Sequence, residues 1–169
     1  MNFGQISDQL WVNINSQTFM TQAILPRFLK RESRSAIIDL SSVVAYTPSA
    51  NTAIYAATKS YNFALSNAIR KSYPEKIDVM TVTPASVKTQ MNSGRYCMTV
   101  TAEAHGKAVI DQLGWQSVTW GHWMHAIGPF ITTYTPIGYF ITRANAARYQ
   151  VFLAENAAKK AAEEAKEKK

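Results

Sequence analysis

The sequence predicts an α/β fold with a parallel sheet, and three observations lead there. Two apolar, β-branched runs, "AIIDLSS" (Ala36–Ser42) and "KIDVMTVTP" (Lys76–Pro84), have the length of buried strands. The stretch between them, Ala53–Lys71, is rich in strong helix formers and long enough for the crossover that parallel strands need. Helix-like and strand-like segments then alternate along the chain, the order that argues for βαβ units with right-handed crossovers.

The elements follow in turn. From Ser7 to Leu29 apolar residues recur at helical spacing (Leu10, Ile14, Phe19, Ala23, Ile24, Phe28), with Ser7 as the capping residue and Pro26 near the fading end. "KRESRS" is a polar turn, and Ala36–Leu40 reads as a buried strand. "VVAYTPSANT" is a loop, because Pro48, Ser49 and Asn51 break any period. The helix Ala53–Lys71 carries an apolar series at Ala57, Tyr61, Ala64, Leu65, Ala68 and Ile69, with Pro74 just past its end. "KIDVMTVTP" is the second strand, stopped by Pro84. "ASVKTQMNSGRY" reads as a loop or short helix closed by Gly94. A third helix, "TAEAHGKAVIDQLGW", starts at Thr101 and Glu103 and stops at Gly114, and "QSVTWGHW" is a third short strand.

From Trp120 to Ile141 the chain has no Lys, Arg, Asp or Glu and is rich in aromatics. Gly121, Gly128, Pro129, Pro136 and Gly138 argue against a continuous membrane span. The segment 120–142 is therefore expected to be an aromatic cover over a substrate pocket, ahead of a segment dipping into a membrane interface. The end, "ENAAKKAAEEAKEKK", reads as a solvated, charged, alanine-rich helix.

At 169 residues one domain is the default, and 47% hydrophobic with 17% charged residues is a globular composition. The net charge of +7 suits an anionic partner. Lys and Arg are scattered rather than gathered in a stripe, so nucleic acid is not expected and a phosphate-bearing small ligand fits as well. Cys97 is the single cysteine, which excludes an internal disulfide and a CxxC zinc site. The N-terminus lacks the basic start and apolar core of an export signal. His105, His122 and His125 show no metal-ligand spacing with carboxylates or Cys97, so no metal is expected and they read as structural or pocket-lining.

The chemistry gathers around Tyr55 and Lys59. Four apart on a helix, they project from one face toward one ligand. A nearby ammonium favours the phenolate and brings the Tyr55 phenol toward use as an acid or base near neutral pH. Ser42, at the end of the first strand, approaches the same point from the sheet, with Ser41 as an alternative donor. An exposed helical pair is the competing reading of Tyr-x-x-x-Lys taken alone.

Four linked stretches change that balance: "VNINSQTFMTQAILP" (Val12–Pro26), "AIIDLSS" ahead of a Pro-containing loop, "YAATK" (Tyr55–Lys59) and "VTPASVKTQM" (Val82–Met91). In this order and spacing the sequence resembles the short-chain dehydrogenase/reductase family. "NSQTFMTQAILPRF", "TPASVKTQMNSGRY" and "GHWMHAIGPF" resemble the branch with very-long-chain 3-oxoacyl-CoA reductases and 17β-hydroxysteroid dehydrogenases. The resemblance extends to about Tyr149, making 1–149 a partial family domain and 150–169 a tail. It implies the C-terminal part of a doubly wound Rossmann-type sheet and a catalytic tetrad of Asn13, Ser42, Tyr55 and Lys59. Tyr55 would protonate the carbonyl, Ser42 hold its oxygen, Lys59 bind the nicotinamide ribose and bias the Tyr, and Asn13 anchor a relay water. Pro84, Val87 and Thr89 would line the nicotinamide end, with Ala85 where the family usually has glycine. The implied cofactor is NADP, or NAD, and the implied substrate is a lipid-like ketone, a 3-oxoacyl-CoA or a steroid.

The sequence departs from the family at its front. There is no GxGxxG and no TGxxxGxG, so the backbone cradle that receives a pyrophosphate is missing from these residues. Ala36–Leu40 would then lose a neighbour and become a sheet edge that invites pairing. A fragment, half of a split enzyme and a catalytically idle structural or assembly subunit are the three explanations. The resemblance further implies self-association or a protein partner through the helices Ser7–Leu29 and Ala53–Lys71, and a place at the endoplasmic reticulum membrane with peripheral contact. "KEKK" is only near a di-lysine retrieval signal, because Glu167 stands where lysine belongs.

Overall fold

A computed structural model of the chain describes residues 2–48, 52–90, 92, 98–134 and isolated positions between 136 and 158. The chain opens with a long surface helix made of α1 (Phe3–Leu10), one wide turn (Trp11–Asn15) and α2 (Ser16–Leu29). It starts before Ser7 because Asn2 caps it. The Asn2 side chain accepts from the Gln5 N–H while the Gln5 side chain accepts from the Asn2 N–H. In the wide turn the Ser16 N–H reaches back five residues to the Trp11 carbonyl, a π-type bulge. Pro26 lies inside α2, and the helix persists to Leu29 rather than fading.

The main sheet has three parallel strands in the order β1 (Ser35–Leu40), β2 (Ile77–Val82), β5 (Val118–Thr119). Between β1 and β2 the register pairs Ser35 with Ile77 and Leu40 with Val82. α3 (Ala53–Ser72) makes the first crossover, and the second contains α4 (Ala102–Ile110). The side chains of β2 alternate between two cores. Ile77 and Val79 pack with Ile69 and Leu65 of α3 and with Leu25 and Phe28 of α2. Met80 and Val82 pack with Val109 of α4 and with Leu113. Helices therefore cover both faces, the doubly wound arrangement expected from the sequence.

Three expectations need correction. β1 is not buried on both sides: Ser35 and Asp39 are covered, while Leu40 is 56% exposed and Ile38 37% exposed. α2 and α3 cover one face of β1, and in the described sheet β1 is an outer strand. The apolar series on α3 marks its buried face only in part, through Leu65 and Ile69. Ala57, Ala64 and Ala68 are exposed, whereas Ala56, Thr58, Asn62, Ser66 and Ile69 are buried. Small polar side chains fill that face because they have hydrogen-bond partners there, Asn13 for Thr58 and Asp39 for Ser66.

The third correction concerns the stretch after Pro84, which is neither a plain loop nor a helix. β3 (Val87–Lys88) pairs in parallel with β4 (Val100–Thr101), and the Val100 N–H donates to the Ser86 carbonyl. Thr101 then caps α4 through the Ala104 N–H, as its position predicts, and the helix ends at Ile110 before turns lead through Gly114 at φ +83°. α5 (Trp123–Tyr134) runs through Gly128 and Pro129. Among the described residues no helix is long and apolar enough to cross a membrane. Ser49, Asn51, Met91, Gly94, Cys97, and nearly all of the 150–169 tail lie outside the described residues.

Candidate active site

Parallel strands gather polar loops at their C-terminal ends, and the candidate site forms there. Pairing continues past β1 and β2, with the Ser41 N–H donating to the Val82 carbonyl (2.8 Å) and the Val43 N–H to the Pro84 carbonyl (3.1 Å). These two bonds fix the Ser41–Val43 segment beside the loop that begins at Pro84. Ser42 is buried, and its backbone is extended (φ −166°, ψ 158°) before a short 3-10 turn, Val43–Ala45. Its hydroxyl accepts a long bond from the Val44 N–H (3.4 Å) and lies near enough to the Tyr55 phenol to favour the phenolate. Tyr55 comes from the first turn of α3, so helix start and strand end meet at one point.

Lys59 lies one turn further along α3. Its ammonium donates to the Leu40 carbonyl (2.7 Å) and stands 5.8 Å from the centre of the Tyr55 ring. The adjacent serine does a different task from Ser42: the Ser41 hydroxyl donates to the Lys59 carbonyl (2.7 Å) and pins helix to strand. Asn13, in the wide turn of the first helix, donates to the Thr58 hydroxyl (3.0 Å), which donates in turn to the Tyr55 carbonyl (2.8 Å). The structure thus brings Ser42, Tyr55 and Lys59 together directly. Asn13 reaches them through Thr58 and the α3 backbone.

The electrostatics depart from the expectation for Tyr55. Burial pushes its phenol above the ordinary tyrosine value, and the Ser42 hydrogen bond only partly offsets this. The expected lowering by Lys59 is not what governs it, because the ammonium is directed to the Leu40 carbonyl. Burial pulls Lys59 below the ordinary lysine value, while the negative charge of Asp39 pushes it back up. Asp39 is raised by burial and lowered by hydrogen bonds from Ser66 and Gln17 and by the charge of Lys59.

The remaining predicted positions fall close by. Pro84 is half-buried and anchors Val43, as described. Val87 is half-buried on β3, and Thr89 is exposed, with its N–H donating to the Asn92 carbonyl and its hydroxyl accepting from the Asn92 N–H. Tyr46 links the Ser42 loop to the aromatic segment, its ring 5.0 Å from that of Phe63 and 5.6 Å from that of Trp120. Sequence reasoning passes over Asp39, Thr58, Asn62 and Ser66, which line the back of the site. One signal for Asp39 is present in the sequence, a carboxylate in the middle of an apolar strand.

His105, His122 and His125 form a cluster behind the site. The His105 and His125 rings are 5.2 Å apart and those of His122 and His125 6.5 Å apart. His125 Nε2 meets the Ser86 carbonyl (3.0 Å) and His105 Nε2 the Trp120 carbonyl (3.3 Å), so both rings carry their proton on Nε2. Burial pulls both imidazoles below their ordinary value.

A hydroxyl pair with an ammonium one turn away, at the C-terminal end of parallel strands, can hold a carbonyl oxygen and hand it a proton. The family model for short chain dehydrogenases matches residues 1–98, more than half of the 169-residue chain. The chain belongs to the short-chain dehydrogenase family. Similar curated proteins include human inactive hydroxysteroid dehydrogenase-like protein 1, 29% identical over 85% of this chain and 47% of its own length. A very-long-chain 3-oxoacyl-CoA reductase-like protein of Arabidopsis thaliana is 30% identical over 80% of this chain and 48% of its own. The chain therefore spans about half the length of the curated relatives it matches.

Among solved structures, a short-chain dehydrogenase of Burkholderia cenocepacia in complex with NADP matches 76% of this chain and 55% of its own, with a TM-score of 0.63 and 20% identity. The 3-ketoacyl-(acyl-carrier-protein) reductase of Brucella melitensis, complexed with NADH, matches 70% of this chain and 56% of its own at a TM-score of 0.62 and 20% identity. These two likenesses concern the fold.

Proposed function

We propose that this chain carries the catalytic half of an NADP(H)-dependent reductase that converts a ketone on a lipid-like molecule, a 3-oxoacyl-CoA or a steroid, to an alcohol. The observation that carries the reading is the meeting of the Ser42 hydroxyl and the Tyr55 phenol at the end of β1, with Lys59 on the next turn and its ammonium 5.8 Å from the Tyr55 ring. The relatives named as 3-oxoacyl-CoA reductase-like and hydroxysteroid dehydrogenase-like support the substrate class.

In this mechanism Ser42 holds the substrate oxygen and Tyr55 gives it a proton. Burial favours the protonated phenol, which suits the acid role of the reducing direction better than the base role of the reverse. A bound nicotinamide nucleotide supplies the hydride. The residues present fit its nicotinamide end: the Lys59 ammonium, with one N–H on the Leu40 carbonyl, keeps two donors for ribose hydroxyls, and Pro84, Val87 and Thr89 follow β2 in the chain. They do not provide a glycine-rich pyrophosphate cradle. Asn13 holds Thr58, and through it the first turns of α3, in place beneath Tyr55. Trp120, its ring tilted against that of Tyr46, supports reading 120–142 as a cover over the substrate.

The test is NADPH-dependent reduction of a 3-oxoacyl-CoA or steroid ketone by the protein in its native assembly, beside Tyr55→Phe. The variant is expected to lose roughly 10²–10⁴-fold in turnover, the usual contribution of a positioned acid. Equal turnover would remove Tyr55 from the mechanism. A second reading, a family-derived subunit without catalysis, is favoured by the relative named inactive. Calorimetric titration of NADPH separates the two, since only the reductase reading requires the nucleotide to bind the native assembly.

A further inference from the structure

A carboxylate buried in a strand needs a reason, because taking a charge out of water is costly unless it is paired and hydrogen-bonded. Asp39 is 7% exposed, on the face of β1 that meets α3. Ser66 donates to its Oδ2 at 2.5 Å, and Gln17 of α2 lies near enough to favour its ionised form. Lys59, Asn62 and Ser66 stand at i, i+3 and i+7 on α3, one stripe along one helix face. Asn62 is buried between the other two, and Ser66 fixes the stripe against Asp39. The Lys59 ammonium bends to the carbonyl of Leu40, the residue next to Asp39.

From this arrangement we infer that Asp39 is a positioning residue that holds Lys59 as an ammonium at the end of β1, beside the Tyr55 ring. The argument is one of matched burial. Each group alone is discouraged from ionising by the protein around it, and each charge restores the other. Among the described residues, Asp39 is the carboxylate whose field reaches Lys59; Tyr55 faces it from the same helix, and Asn13 and Gln17 from the first helix are uncharged. Ser66 and Gln17 orient the carboxylate and leave its charge in place.

The consequence for catalysis rests on the proposed reductase reading, but the charge coupling does not. It is tested on the 169-residue chain by following the ¹³Cε signals of labelled lysines through a pH titration, with Lys59→Arg used to assign the Lys59 signal. Asp39→Asn keeps the volume and can still accept from Ser66. The expected result is a downward shift of the Lys59 midpoint in this variant, with the other lysines unmoved. An unchanged or higher midpoint in folded Asp39→Asn overturns the inference. Should that variant fail to fold, the converse measurement decides, because coupling is reciprocal. In Lys59→Gln the Asp39 carboxyl midpoint, read from ¹³Cγ, is expected to rise, and no movement overturns the inference equally. In an active assembly, Asp39→Asn would also move the alkaline limb of the reductase pH profile to lower pH. If both proteins are inactive while the NMR coupling stands, the reductase reading fails and this inference survives.

Discussion

At the scale of single residues, backbone conformation shapes the molecule as much as the side chains of the candidate site do. Gly121 adopts φ +73°, and a methyl group at its Cα would run into the His105 ring. Gly121→Ala therefore combines left-handed strain with overpacking, and we expect it to lose about 1–3 kcal/mol of stability in urea unfolding. A loss within error of zero would mean that the ring moves aside freely. At the same scale, Ser41 and Ser42 illustrate what neighbouring residues of one type hide. The sequence presents two equivalent hydroxyls, but successive side chains on an extended strand point to opposite sides. One donates to the Lys59 carbonyl and the other lies beside the Tyr55 phenol.

At the scale of elements, the histidine cluster joins three pieces of chain. His105 belongs to α4, His125 to α5, and the Ser86 carbonyl that meets His125 leads into β3. Folded His105 and His125 bind protons less readily than the ordinary imidazole value of 6.5, because of burial first, with His122 adding to the effect on both and His105 adding to that on His125. The unfolded chain thus takes up protons in a window where the folded chain does not, so stability is present above pH 6.5 and is lost as pH falls through the lower folded values. Thermal unfolding between pH 7.5 and 5 is expected to show this decline, with a shallower slope in His125→Gln. Parallel slopes would exclude the cluster as its source. One of the three pieces is legible in sequence, since Thr101 caps α4 where predicted, whereas the stretch with Ser86 reads there as a loop or short helix and α5 as part of an aromatic cover. The contact is not legible, because the histidines meet through tertiary packing across 20 residues of chain, from His105 to His125.

At the scale of the whole molecule, the unevenness of the sheet stands out. β2 is covered on both faces and β5 closes one side, while β1 leaves Leu40 and Ile38 open on one face and its outer edge unpaired in the described sheet. Exposed apolar strands of this kind pair or associate. Sedimentation velocity of the chain at rising concentration is therefore expected to show self-association, reduced in Leu40→Lys. A chain that stays monomeric at every concentration would show that this surface tolerates water.

The sequence by itself determined the alternation of helix and strand, the parallel sheet, the polar ends of the strands and the helical spacing of Tyr55 and Lys59. Each of these depends on neighbours within a few residues, through periodicity, caps and breakers. The tertiary structure alone decided which hydroxyl meets the Tyr55 phenol, that burial raises that phenol, and that Thr58, Asn62 and Ser66 form the buried face of α3. Desolvation and hydrogen-bond partnership are set by what packs across the fold, and Asp39 shows it best: an oddity in an apolar strand becomes, once α3 lies over it, the counter-charge of Lys59.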